Sequence, residues 1–524
     1  MRWAGCFFAV LSMLSIVGCS EDGEAPTKED SAPKSGTQSM SERAMEEGTY
    51  REEWFWHDRL LEPPPSAARP GSTPDPANWA PRLKRLTTAP LTELEPALEE
   101  MAADGAAARN ALCREIDTTL DASEDDPHRR YRMLMALARV NGPEAAPTLV
   151  RLLRDPLQET STLAAELLGE CDAPWVTPRL LKSFGKWENN RDILTRVMAI
   201  EALTKYRIYS GLPQLVALLA ENTAQEVPDT ERNWKRTTRM AFIKDEVRRI
   251  LREISGESYG FDSGQGEAVM REAVGKWQDW WRAHEHEYLL GERTPHDAED
   301  AGLREQIQKL IDIGFPAFQL RNVDNARWLL EHLGPIAVPQ LMAALDRPEL
   351  RVRVHAAEVL GRIGDERARA AFAARIPREP EASARAQMIE ALGDIGNEED
   401  APTLTKILES ESEDTSVRVA AALALGNIGG DAAMTALDLA AGSSSDDTSK
   451  EIAVAVWSAK ALHGDDASFE SLLSLLASKS LAERAQGSTA LLETFHASIE
   501  YDPYSDEEKR TQGIEAWREW WANR

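Results

Sequence analysis

Cysteine is scarce. The 524 residues hold four, Cys6, Cys19, Cys113 and Cys171, with no CxxC pair, no CxxCH run and no zinc-type spacing. A thiolate metal framework or haem attachment is therefore excluded on the cysteine side. Basic residues are also in deficit, 60 against 88 acidic ones, for a formal charge of -28. Such a charge repels phosphate backbones and anionic headgroups, so nucleic acid is excluded as a partner. No phosphate-cradling G-x-x-x-x-G-K run occurs, and the residues call for no cofactor. Aromatics make up only 6%, yet 15 of them are Trp against 11 Phe and 8 Tyr, a skew that asks for a cause. What is abundant is ordinary core material: 42% hydrophobic residues, enough to build real cores over two or more domains.

The amino terminus lacks a membrane span. Met1 and Arg2 precede an apolar stretch from Ala4 to Val17, which falls short of the roughly 20 residues a spanning helix needs and has the length of a signal-peptide core. The stretch closes on Ile16-Val17-Gly18-Cys19. This resembles the lipobox of bacterial lipoproteins, and the resemblance implies removal of residues 1–18 and acylation of Cys19 as the first mature residue. An ordinary signal peptide cut near a small residue is the alternative. Anchoring by two or more acyl chains needs no later membrane helix. Residues 19–48 are polar and rich in Ser, Glu, Lys and Pro, the composition of a disordered tether. Residues 49–80 form a second short arm, with Trp54-Phe55-Trp56 followed by Pro63-Pro64-Pro65, Pro70, Pro74, Pro76 and Trp79. Pro at this density favours extended chain. Its Trp residues are expected to pin the arm onto the first helices, with recognition by a partner groove as the other reading.

Internal repetition dominates the rest. Val352-Arg353 through Ala356-Ala357, Leu360-Gly361, Ile363-Gly364-Asp365 returns as Ala384-Arg385 through Leu392-Gly393, Ile395-Gly396-Asn397. It returns again as Val417-Arg418 through Ala421-Ala422, Leu425-Gly426, Ile428-Gly429. Apolar or small residues at i, i+4, i+5 and i+8 predict a helical stripe, and the Ala pair lets a neighbouring helix come close. The Gly-x-Ile-Gly ending predicts a helix stop with a left-handed Gly. A second helix follows, as in Ala401-Pro402-Thr403-Leu404, with Pro in its first turn. A two-helix unit of about 32 residues holds no core alone and must stack.

On these residues the chain resembles the HEAT-like repeat family, in the short form seen in phycobilisome lyases with its V-R-x-x-A-A-x-x-L-G-x-I-G-D pattern. The resemblance implies an all-α fold, an α-α superhelix. It also raises an enzyme alternative, a bilin-lyase-like activity, against which the export signal stands. Weaker copies run through Leu163 to Gly169, with Cys171 as a core residue in the place of Ile363, and through Ile193 to Leu203, Ala453 to Leu462 and Ala485 to Leu492.

A longer repeat encloses the short ones. Phe261-Asp262 is followed by Trp277, Trp280 and Trp281, and Tyr501-Asp502 by Trp517, Trp520 and Trp521, with each member 240 residues from its counterpart. Trp at i, i+3 and i+4 suits a helix that covers the open apolar end of a solenoid, a carbohydrate or ligand platform being the alternative. Two caps predict two arrays, 81–290 and 304–524, joined by a linker at 291–303.

Catalytic patterns are thin. Gly256-Glu257-Ser258-Tyr259-Gly260 matches G-x-S-x-G, but it follows a long helical stretch, and the copy 240 residues on, His496 to Glu500, has lost both glycines. His284-Glu285-His286-Glu287 is not HExxH and reads as a solvated helix end, with no metal expected. The most regular candidates for binding are Arg353, Arg385 and Arg418. The same three could instead form an inter-repeat ladder with loop acids such as Asp365 and Asp394. The expectation is a non-enzymatic, membrane-anchored scaffold outside the cytoplasm that holds an unknown protein or peptide, a purely structural envelope role being the other non-catalytic reading.

Overall fold

A computed structural model describes residues 79–122, 126–184, 193–220, 231–260, 267–294, 300–317, 320–441, 447–497 and 499–524. These residues form helices, turns and bends with no strand. The fold is the all-α, HEAT-like stack that the repeats predict. No described helix is long and apolar enough to cross a membrane.

The chain divides into two compact units between Ala344 and Leu345. The first contains α1 (Ala80–Thr88), α2 (Leu91–Ala102), α3 (Ala106–Asp121), α4 (Pro127–Ala138), α5 (Ala146–Leu152), α6 (Gln158–Glu170), α7 (Thr177–Phe184), α8 (Ile193–Lys205), α9 (Leu212–Ala220), α10 (Glu231–Ser255), α11 (Glu267–Leu289), α12 (Ala301–Lys309), α13 (Leu320–Leu333) and α14 (Val338–Ala344). The second contains α15 (Leu350–Ile363), α16 (Arg367–Arg375), α17 (Ala382–Ile395), α18 (Ala401–Glu409), α19 (Thr415–Ile428), α20 (Gly430–Ala441), α21 (Asp447–Leu462), α22 (Asp466–Leu476), α23 (Leu481–Phe495) and α24 (Glu507–Ala522).

The described residues of the expected linker at 291–303, which are 291–294 and 300–303, fall within the first unit. There Arg207 donates to the carbonyls of Glu292 and Arg293 at 2.8 and 3.0 Å, and Ser210 Oγ donates to the His332 carbonyl at 3.1 Å. Helix α12 packs on the 3-10 turn Pro174–Val176, and α13 packs on α7. The chain after the first cap thus folds back onto the first unit before the second begins.

In the second unit the inner helices α15, α17, α19 and α21 stack in succession. Their stripes are buried as the period requires: Val352, Ala356, Ala357, Val359, Leu360 and Ile363 on α15, and Val417, Ala420, Ala421, Ala424 and Leu425 on α19. The first glycine of each Gly-x-Ile-Gly ending is not a stop. It lies inside the helix against an alanine of the next inner helix. A Cβ on Gly361 would sit 2.9 Å from Ala391 Cβ, one on Gly393 2.6 Å from Ala424 Cα, and one on Gly426 2.6 Å from Ala459 Cβ. Gly169 on α6 meets Ala202 Cα of α8 at 2.8 Å in the same way. The second glycine is the cap, and the expected left-handed form holds at Gly364 (φ 74, ψ 20), where an L side chain would be strained. Gly396 ends α17 in an extended conformation instead (φ -75, ψ 176).

Helix starts follow ordinary capping chemistry. Asp414, Asp465 and Asp506 each accept from a backbone N–H two or three residues on, and Asn397 with Asp400 forms a reciprocal capping box. Pro402 occupies the first turn of α18, where its missing N–H breaks no intrahelical bond.

Candidate binding surfaces

Two of the three arginines share one structural logic. Arg353 and Arg385 stand near the start of an inner helix and reach the loop that leads into the next one, while Arg418 reaches back to α18. Arg353 donates to both carboxylate oxygens of Glu379 at 2.8 and 2.9 Å, and its other terminal nitrogen reaches the carbonyls of Arg347 and Pro348 at 2.9 and 2.8 Å. Glu379 in turn accepts from the Glu381 N–H at 3.0 Å and from Arg375 at 2.8 Å. Arg385 repeats the pattern with the Glu379 carbonyl at 3.1 Å and the Glu413 carboxylate at 2.8 Å. Arg418 donates to the Leu408 carbonyl at 2.9 Å. The geometry is that of an inter-repeat ladder.

Its acids are Glu379 and Glu413, not the expected Asp365 and Asp394. Those two sit at the far end of their own inner helices, where Asp365 pairs with Arg367 and Asp394 accepts from Asn427 at 3.3 Å. The first unit holds a rung the sequence did not reveal, Arg130 Nε on Asp155 Oδ2 at 2.5 Å, with Asp155 also capping Leu157 N at 2.9 Å. One acid serving both the preceding arginine and the next helix start is the signal that could have found it. Burial pushes the Glu379 carboxyl up, but the Arg353 hydrogen bonds, the Glu381 N–H and the charges of Arg353 and Arg375 outweigh it, leaving Glu379 below the usual glutamate range.

The caps bring the expected aromatics together. In the second, Trp517 is buried in a core with Phe469, Leu472, Leu476, Leu491 and Ile514, while Phe495, Tyr501, Trp520 and Trp521 are partly buried around it. Trp517 and Trp520 meet edge to face at 5.6 Å and 81°, and Trp277 and Trp280 of the first cap do so at 5.6 Å and 83°. The 240-residue repeat is thus repeated in three dimensions. Trp521 stacks on Phe469 at 4.2 Å and donates its indole N–H to Asp466 at 2.9 Å, and Tyr501 donates to the Leu476 carbonyl at 2.7 Å. In the first cap Trp277, Trp280 and Trp281 are buried and Tyr288 packs on the last two. Phe261 lies outside the described residues, as do Cys19, the tether and the arm as far as residue 78.

The other motifs have structural occupations. His284 stacks on Trp280 at 5.3 Å, with Nδ1 2.8 Å from the Trp280 carbonyl, so the run's first histidine is part of the cap. Ser258 is exposed in the irregular stretch after α10, and the described residues leading into it are helical. Cys171 is buried beside the Leu168 carbonyl and the Tyr206 hydroxyl, and burial pushes its thiol up to about 11 and that of Cys113 to about 12. Neither is a nucleophile in the folded protein.

A further set of side chains, not singled out in the sequence, recurs on the inner helices. Glu358 on α15 and Glu390 on α17 occupy the same repeat position, as do Glu166 on α6 and Glu201 on α8. Arg362 donates to Glu358 at 2.7 Å and Arg249 to Glu201 at 2.7 Å. Burial pushes the Glu390 carboxyl up to about 7, and the Asp394 and Glu493 charges push the same way. Helices α6, α8, α15 and α17 thus carry an acid at one register, a position that is Leu423 on α19; Glu166 is exposed, Glu390 is half-buried and Glu358 is buried against Arg362.

A family profile described as HEAT repeats matches residues 373–458. No curated protein matches. Among solved structures the chain is similar to human deoxyhypusine hydroxylase in complex with glycerol, at 17% identity over 74% of this chain and 98% of that one, with a TM-score of 0.17. It is also similar to an engineered protein at 18% identity, over 79% of this chain and 98% of that one, TM-score 0.19. A third likeness is Kap121p bound to Ste12p, at 14% identity over 92% of this chain and 53% of that one, TM-score 0.27. The chain thus spans about half the length of Kap121p. With scores this low the chains do not superpose as wholes, and none lends this chain an activity or a partner.

Proposed function

We propose that this chain, which carries HEAT repeats, is a non-enzymatic scaffold, exported and held at a bacterial membrane by lipidated Cys19, that binds a protein or peptide partner. The observation that carries the reading is the inner-helix register. Acids recur at one position in both units, as Glu166 and Glu201 and as Glu358 and Glu390, on frames fixed by buried packing and by the arginine ladder. A row of side chains spaced by helix packing suits an extended partner that touches several repeats in turn. The arginines are spent within the frame, as are buried Glu358 with Arg362 and Glu201 with Arg249, which leaves exposed Glu166 and half-buried Glu390 as the recognition groups.

Support for the location comes from the sequence alone, from the apolar stretch Ala4 to Val17 and Ile16-Val17-Gly18-Cys19. Palmitate labelling of the wild type and of Cys19→Ala tests the anchor. Label on the wild type alone is expected, and label persisting in the variant overturns it. The enzyme reading is tested by mixing the folded protein with a linear tetrapyrrole. Unchanged absorbance is expected, and a new bound-pigment band would restore a lyase-type role.

A further inference from the structure

The two caps share their Trp geometry but differ in what covers it. In the first, Tyr288 packs on Trp280 at 5.4 Å and on Trp281 at 6.2 Å, and both indoles are buried. The nearby cation there, Arg293, lies over the Tyr288 ring at 4.5 Å and is tied down by Glu287 at 2.8 Å and the Ile254 carbonyl at 3.3 Å. In the second cap the guanidinium of Arg524 takes the covering place. It lies 5.1 Å from the Phe495 ring centre, 5.8 Å from Trp520 and 5.4 Å from Trp521. It also makes a long 3.4 Å contact with the Leu462 carbonyl.

The rings are set before any cation arrives. Trp521 is fixed by its stack on Phe469 and its bond to Asp466, and Trp520 by its edge contact with Trp517. Three ring centres within about 6 Å of one charge meet the distance condition for cation–π attraction. All three rings are partly buried, so the triad stays reachable from solvent, whereas the indoles of the first cap do not.

The position repeats as well. Arg524 lies 240 residues after His284, which stacks on Trp280. Four residues past the second Trp, each cap places a nitrogen-rich planar group on the indole. In the first the imidazole is tied back to the Trp280 carbonyl at 2.8 Å. In the second the group is a full cation on an exposed side chain.

We propose that the Phe495, Trp520 and Trp521 triad is a docking site for an arginine or lysine side chain of a cationic partner segment, filled by Arg524 in the free protein. The proposal deepens the scaffold reading and rests on it. The chain's formal charge of -28 favours the same partner, because a net negative chain attracts cationic segments. Partner binding exchanges one guanidinium for another over the same rings, so Arg524 acts as an internal competitor.

The test is calorimetric titration of the full chain with an acetylated, amidated tri-arginine peptide near physiological salt, with the tri-citrulline peptide as the neutral isostere. Removing the competitor in Arg524→Ala is expected to tighten tri-arginine binding about two- to fivefold, the size of an exposed cation–π contact. Trp520→Leu in the Arg524→Ala background is expected to erase the gain, with the circular dichroism of both variants showing that the helices remain. Equal affinity of wild type and Arg524→Ala overturns the proposal, and so does a gain that survives Trp520→Leu or is shared by the citrulline peptide. Cross-linking in native membranes separates this failure from failure of the scaffold reading. A partner captured equally by the wild type and by Trp520→Leu removes the cation site and leaves the scaffold standing.

Discussion

Replacing Glu379 with Gln tests whether the ladder is a structural frame. The Arg353 and Glu379 side chains are 6% and 0% exposed, and Glu379 serves Arg353, Arg375 and the Glu381 N–H at once. Gln keeps the shape but leaves the Arg353 guanidinium buried beside a neutral group. Removing one partner of a buried pair costs about 3–5 kcal/mol. In a unit of roughly 150–250 residues that lowers Tm by about 6–20 °C. Glu413→Gln is the comparison, because the Arg385 and Glu413 side chains are 21% and 23% exposed, so solvent screens part of the charge and the loss is expected to be smaller than that of Glu379→Gln. Urea unfolding followed by circular dichroism reads both. The double variant Arg353→Met, Glu379→Leu is expected to recover most of the loss, since an apolar pair of similar volume leaves no stranded charge. Acid gives a second readout. With its native carboxyl held below its unfolded value, Glu379 contributes stability that is present above the ordinary glutamate range and is lost as pH falls through the lowered native value, and Glu379→Gln removes that dependence. Equal costs for Glu379→Gln and Glu413→Gln would refute the reasoning.

Other consequences follow from single contacts. Gly393→Ala, stabilising by about 1 kcal/mol in an exposed helix, is expected to destabilise by about 1–3 kcal/mol because its Cβ meets Ala424 Cα at 2.6 Å, as read by urea unfolding. Glu390→Gln is expected to raise Tm at pH 8 and leave it unchanged at pH 4. A carboxyl pushed up to about 7 is penalised for ionising in the fold, a penalty that grows between its unfolded value and 7 and vanishes below both. An equal effect at the two pH values would count against it. Cys113 and Cys171, buried with thiols pushed up to about 12 and about 11, should resist maleimide until the protein is unfolded by urea.

Residues that repeat were legible in the sequence, and residues that pair across repeats were not. The stripe of α15, α17 and α19 and the Trp caps announce themselves by period, because each copy must bury the same face. The Gly-x-Ile-Gly ending predicts a helix stop without separating its two glycines, since a sequence shows a glycine near a helix end but not the alanine of the next repeat that faces Gly361, Gly393 and Gly426. Likewise the ladder is expected on loop acids such as Asp365 and Asp394, whereas the carboxylate that meets Arg353 is Glu379, on the loop into the following inner helix. The Arg130 and Asp155 rung escaped because α4 carries Met133, Leu134 and Ala138 where the clear copies carry the Ala pair and the first Gly, so the ion pair stands without the rest of the pattern. The division of the chain was hidden for a related reason. A cap closes one stack of helices, but α12 to α14 return to the same unit through contacts such as Ser210 with the His332 carbonyl, which no local pattern records.

The central claim is that the inner-helix face receives a partner. The most direct measurement places a photo-cross-linking residue at Glu166 and at Glu390, and at exposed Leu439 on α20 as a control, in the full chain in its native membrane, followed by mass spectrometry of the adducts. The account predicts one protein, in near-equal amount to the chain, attached at Glu166 and Glu390 and absent at Leu439. Adducts of no single protein, or the same yield at all three positions, would contradict it.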